Sequence, residues 1–251
     1  MMGKAALCGA ALLLYAVPAS AQVKIRPWSD IVFANLSGAG QPGTRTETAS
    51  SSFDLYEEAA TVDVTRDIKG GGFLDVTFGT AILNNIGAAL SIFSRSARSD
   101  GSVTGTIPDP ADFNSPRTVA STIPGMEHKE TWIGIQGVYG LGLDGLGLPE
   151  QLDFLIMAGP AIVKVKHDVP LAVTPADVVE SPSGPVINVR TSLQSKTFVG
   201  FMIGADVRYF FHPNIGAGGF LRWAGASGDF DDGSPIEVGG FQFGAGVRFR
   251  Y

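Results

Sequence analysis

The stretch that decides the fold is the last one, Gly239–Tyr251, reading GGFQFGAGVRFRY. Phe241, Phe243, Ala245, Val247, Phe249 and Tyr251 share one parity, and Gly240, Gln242, Gly244, Gly246, Arg248 and Arg250 share the other. Successive side chains of a β-strand point to opposite faces, so a sustained period of two marks a strand with two unlike sides. The pattern recurs toward the N-terminus. Over 194–211, Val199, Phe201, Ile203, Ala205, Val207, Tyr209 and Phe211 oppose Gly200, Gly204, Asp206 and Arg208. Over 214–227, Ile215, Ala217, Leu221 and Trp223 oppose Gly216, Gly218 and Arg222. Over 71–82, Leu74, Val76, Phe78 and Ile82 oppose Asp75, Thr77 and Gly79.

Eight such segments are expected, at 53–67, 71–82, 85–97, 127–140, 151–167, 194–211, 214–227 and 236–251. No stretch beyond the N-terminus keeps a helical period. Short connections at 83–85, 141–150 and 212–214 alternate with those at 68–70, 98–126, 168–193 and 228–235, which are mostly longer. Alternation of this kind places the long loops at one end of an antiparallel up-and-down barrel and the tight turns at the other. Residues 22–52 read as an N-terminal segment. A further strand within residues 30–40 would move the count toward ten, but Thr44–Ser52 is too polar to face lipid, so eight is preferred. Gly159-Pro160 suggests a bulge, because proline cannot donate to a ladder.

The apolar faces could point inward in a soluble barrel or outward into lipid. Three features favour the transmembrane barrel. Aromatics gather at strand ends, at Tyr209, Phe210 and Phe211 and at Phe249 and Tyr251, as interfacial girdles do. The polar face is small and rich in glycine, which suits a crowded interior. An export signal supplies the route: Lys4, the apolar run Ala5–Val17 and the small-x-small site Ala19-Ser20-Ala21 make residues 1–21 a signal peptide.

Composition narrows the choices further. The 251 residues include 33 Gly and a single Cys, at position 8, so no intramolecular disulfide framework is open to the chain. Net charge is −6 without a basic block, which argues against nucleic acid as a partner. After the leader no apolar run approaches the roughly 20 residues of a spanning helix.

On these residues the chain resembles the small outer-membrane β-barrel proteins, the outer-membrane protein A-like group, over 53–251. The resemblance implies that Phe243, Ala245, Val247, Phe249 and Tyr251 act as the C-terminal insertion signal. It further implies a monomer in the bacterial outer membrane, with membrane lipid, the barrel assembly machinery and periplasmic chaperones as partners. A peptidoglycan-anchoring domain is not expected.

Eight strands leave an interior that side chains can fill. The expected lumen charges are Glu57, Asp75, Arg95, Glu130, Asp153, Asp206, Arg208, Arg222, Arg248 and Arg250. Up-and-down ordering pairs Arg95 with Glu130 near the outer rim and Asp153 with Arg208 near the inner rim. It brings Glu57 toward Arg248 or Arg250 where first and last strands close. A buried charge demands a partner, so a structural ion-pair plug outweighs a charge-selective, porin-like pore. No catalytic set is expected: His128 has Glu130 two positions on but no serine beside it, and His167 and His212 adjoin loops. No metal set is expected from scattered histidines, and no cofactor is implied. The expected role is structural or interactive through the loops; a narrow channel for small or hydrophobic solutes is the alternative, and a lipid-modifying enzyme a more remote one.

Overall fold

The computed structural model describes Trp28 and residues 30–144, 147–181, 184–231 and 233–251. The signal peptide expected over residues 1–21 lies outside them. In chain order the strands are β1 Val32–Leu55, β2 Glu58–Leu83, β3 Ile86–Ile107, β4 Arg117–Gly142, β5 Leu152–Pro170, β6 Val178–Ser181, β7 Gly184–Ile187, β8 Thr191–His212, β9 Ile215–Asp229 and β10 Pro235–Arg250. Eight of them close a ring in the order β1-β10-β9-β8-β5-β4-β3-β2, and β6-β7 form a separate hairpin. Every neighbouring pair is antiparallel, and closure runs from Phe33↔Arg250 to Gly40↔Phe243.

The eight-stranded count agrees with the sequence, but the first two strands differ. Residues 53–67 are not a strand of their own. They straddle a tight hairpin at Tyr56-Glu57, and β2 runs on through Ile68–Gly70 without a loop. The barrel therefore begins at Val32, inside the segment 22–52, and the possible extra strand is the membrane-level part of β1. The hairpin was hidden because its two central residues, with φ of 53° and 67°, carry no glycine or asparagine, the usual signal for this turn. The expected bulge at Gly159-Pro160 is absent: β5 pairs with β8 in unbroken register from Leu152 to Pro170. On its other side the missing amide hydrogen of Pro160 interrupts the β4–β5 ladder, which resumes in the same register from Gly134↔Ala161 to Gly137↔Ala158.

Outward faces are apolar across one band. Leu74, Phe78, Ile133, Ile135, Ile162, Val199, Phe201, Leu221, Trp223, Phe241, Phe243 and Val247 are all exposed. Inward positions on the same strands are buried. This is the arrangement of a barrel whose oily side meets hydrocarbon. Phe210 departs from the expected girdle: it is buried in the lumen, with the Arg250 guanidinium 3.9 Å from its ring centre.

β1 to β4 are 24, 26, 22 and 26 residues long, against the 9–11 or so that a tilted strand needs to cross a bilayer. Their surplus forms a four-stranded sheet projecting at the loop end. It has its own core of Leu55, Ala60, Val62, Val64, Val103, Ile107 and Val119. The β5–β8 connection lies across that core and adds Val173 and Ile187. Much of the loops expected at 98–126 and 168–193 is thus strand or strap.

Replacing Tyr56-Glu57 by Asn-Gly gives two left-handed positions, each costing an ordinary side chain roughly 1–2 kcal/mol, the residues that tolerate them best. It is expected to stabilise the folded barrel by about 1 kcal/mol or more, read as a higher urea midpoint in detergent.

Candidate functional site

The lumen is a stack of alternating charged and apolar layers. At the turn end, Arg208 lies 2.8 Å from Asp30 and 3.5 Å from Asp153, and Arg250 reaches Asp153 at 2.9 Å. Trp28, Phe33, Val138, Leu155 and Met157 pack around this group. Asp153 and Arg208 meet as the strand order implied. Asp30 is fully buried and was not foreseen, because it precedes the strand pattern.

In the middle, Arg222 bridges to Asp75 at 2.7 Å and donates to the Gln242 side-chain carbonyl at 2.9 Å. Arg248 bonds Asp206 at 3.1 Å and the Ser37 hydroxyl at 2.8 Å. Asn35 donates to Asp206, and Ser91 to Gln136. Lumen glycines make room for these large cations. A β-carbon on Gly218 would stand 2.9 Å from Arg248 Nε, and one on Gly204 2.9 Å from Arg222 Cβ. The space left at this level is about 10 Å3, room for about one water.

Above it lies an aromatic layer. Phe73 stacks on Phe93 at 4.9 Å and Phe93 on Trp132 at 5.8 Å, and the Arg222 guanidinium sits 4.5 Å from the Phe93 ring centre. These rings share strand parity with the lumen charges, so alternation alone does not distinguish them from the polar face.

Next comes a chain of titratable groups. Arg95 bonds Glu130 at 2.5 Å, and Glu130 accepts from Trp132 at 2.8 Å and contacts His128 at 2.9 Å. His128 and His167 face each other through Nδ1 at 2.9 Å, and His167 reaches Glu47 at 3.1 Å. Both nitrogens of each imidazole are thereby occupied. Arg95 and Glu130 meet as expected. Glu47 was missed because it lay in the segment left outside the barrel, and His167, expected beside a loop, stands inside the lumen.

Glu57 is a correction. It lies in the tip of the β1–β2 hairpin, not in the lumen, since the strand that would have carried it inward ends at Leu55. Arg248 and Arg250 find Asp206 and Asp153 instead.

The chain opens into a vestibule of about 420 Å3 at the loop end. Its walls include Met126, Val169, Phe230 and Ile236, and its floor carries Glu47, Arg66 and His167. Arg66 is held by the backbone carbonyls of Met126 and Asp168, both at 3.1 Å. The strap beside it is pinned at both edges of the projecting sheet. Ser51 accepts from the Val173 amide at 3.3 Å, and Arg117 grips Glu180 through two contacts of 2.6 and 3.1 Å. The Arg117 hydrogen bond holds the Glu180 carboxyl below its ordinary range. Hydrogen bonds from Thr174 do the same for Asp177 in the turn Pro175–Asp177.

No protein-family model and no curated protein sequence matches the chain. Solved structures do. The Neisserial surface protein A, NspA, aligns over 88% of this chain and 97% of its own, at 14% identity and a TM-score of 0.45. The N-terminal barrel domain of Pseudomonas aeruginosa OprF aligns over 89% and 100%, at 12% identity and 0.40. Ail, the attachment invasion locus protein of Yersinia pestis, aligns over 86% and 98%, at 12% identity and 0.36. These neighbours are small outer-membrane β-barrel proteins.

Asp75→Ala strands the Arg222 charge in the lumen and is expected to cost about 3–5 kcal/mol. The Asp75→Leu/Arg222→Met pair, which leaves no charge behind, is expected to recover most of that loss in urea unfolding.

Proposed function

We propose that the protein is a non-conducting, non-catalytic integral barrel of a bacterial outer membrane, working as a monomer through its loop-end sheet and vestibule. The observation that carries this is the sealed lumen. Three ion-pair layers and the aromatic layer of Phe73, Phe93 and Trp132 cross the bore, and the middle leaves about 10 Å3. An ion passing here would have to break contacts of 2.5 to 3.5 Å between buried groups. That favours the plug over the channel.

Against catalysis, the two lumen imidazoles are engaged with each other and with carboxylates. Among the described residues no serine hydroxyl is bonded to either of them, so the nucleophile-and-base geometry is missing. In favour of recognition, the chain invests more than the bilayer requires in a rigid, strapped sheet. Binding residues on a rigid scaffold at a loop end are a common arrangement. The export signal, the apolar band and the C-terminal strand support delivery through periplasmic chaperones and the barrel assembly machinery.

Reconstituted in planar bilayers, the protein is expected to show no unitary ion steps. On intact cells, a membrane-impermeant maleimide is expected to label a Ser50→Cys variant and to leave Asn214→Cys unlabelled. Steady conductance, or labelling at the turn end alone, would reject this function.

A further inference from the structure

The lysines on the outer surface are not spread evenly. Lys129 on β4 stands directly opposite Lys166 on β5, and one outward step nearer the apolar band Lys164 stands opposite Thr131. All three are exposed. One step further, Ile133 faces Ile162, and Ile162 faces Val199, all exposed and apolar. The charges therefore form a compact cluster at the edge of the hydrocarbon band. Asp153 and Lys164 have opposite parity along β5. Asp153 points into the lumen, whereas Lys164 points outward above the band.

Like charges placed directly across a strand pair repel. Among the described residues no carboxylate lies within 4.0 Å of the three ammonium groups to offset this. The acidic residues that come next on the two strands, Glu127 and Asp168, lie beyond the end of the β4–β5 ladder at His128↔His167. Both are engaged. Glu127 lies 3.9 Å from Arg98, and the Asp168 carboxylate takes the Glu127 amide at 2.7 Å. A counter-charge for the cluster must come from outside the chain. It must reach the edge of the apolar band, where lipid headgroups lie.

We infer that Lys129, Lys164 and Lys166 form a binding site for a lipid with a phosphate-monoester headgroup, its acyl chains lying over Ile133, Ile162 and Val199. A phosphate monoester carries between one and two negative charges near neutral pH and offers several acceptor oxygens, which suits a close group of ammonium donors. The inference rests on the apolar band lying in a bilayer. It adds a ligand class to the outer wall, away from the vestibule.

The test uses the full mature barrel in phosphatidylcholine nanodiscs doped with a small fraction of phosphatidic acid, or of diacylglycerol, which differs only in lacking the phosphate. Native mass spectrometry counts the retained dopant. The wild-type barrel is expected to retain phosphatidic acid over diacylglycerol by about tenfold or more, given the attraction of each lysine for an anionic headgroup. The Lys129→Gln/Lys164→Gln/Lys166→Gln variant is expected to lose that preference, and the corresponding triple arginine variant to keep it. Lys196→Gln, whose lysine is already paired with Asp231 at 2.8 Å, is expected to behave as wild type. Equal retention of the two dopants, or an unchanged preference in the triple glutamine variant, overturns the site and leaves the membrane barrel standing. Failure of the wild-type barrel to enter the discs overturns both.

Discussion

Hydrocarbon offers no partner to a backbone amide or carbonyl, and the rest of this structure depends on that constraint. A sheet can cross a bilayer only by returning to its own first strand, so β1 must find β10, and it does so over Phe33–Gly40. Closure with eight strands fixes a narrow bore. The narrow bore dictates the inward residues in turn. Glycine makes room for large cations, as Gly218 does for Arg248 and Gly204 for Arg222. Every buried charge must also meet its opposite, because no bulk water is there to solvate it.

Closure governs only part of each strand. Above Gly40 and Phe243 the β1–β10 ladder stops, and above His128 and His167 the β4–β5 ladder stops, yet β1 to β4 continue. There the same strands obey different physics. Apolar residues turn to a private core around Val62, Val103 and Ile107, and hydroxyl and charged residues turn to water. The strap from β5 to β8 covers the side of this sheet that would otherwise expose its valines. The vestibule lies where the two regimes meet, which is why its lining mixes Phe230 and Ile236 with Glu47 and His167.

The legible parts of the sequence were those where one face meets lipid. β8, β9 and β10 alternate cleanly, and so do the membrane-level halves of β2 and β4. The turn end was equally clear, because Asn84-Asn85 and Pro213-Asn214 carry ordinary turn chemistry. The first hairpin was not, since Tyr56-Glu57 adopts a left-handed turn without the residues that usually mark one. Missing it shifted the start of the barrel to residue 53 and left Asn35, Gln41 and Glu47 out of the lumen. Pairs joined by adjacent strands, such as Arg95–Glu130, could be read from spacing alone. Arg222–Asp75 joins strands that are not neighbours, so no strand-to-strand register could have supplied it.

The central claim is that the ring-bearing rows face lipid and the charged rows face the bore. The three tryptophans are placed to test it: Trp223 is 44% exposed on the outer band, while Trp132 and Trp28 are 0% and 7% exposed inside. Single-tryptophan variants reconstituted in bilayers with brominated phospholipids give the direct measurement. The account predicts strong quenching of Trp223 and little of Trp132 or Trp28. Strong quenching of Trp132 with an unquenched Trp223 would contradict it.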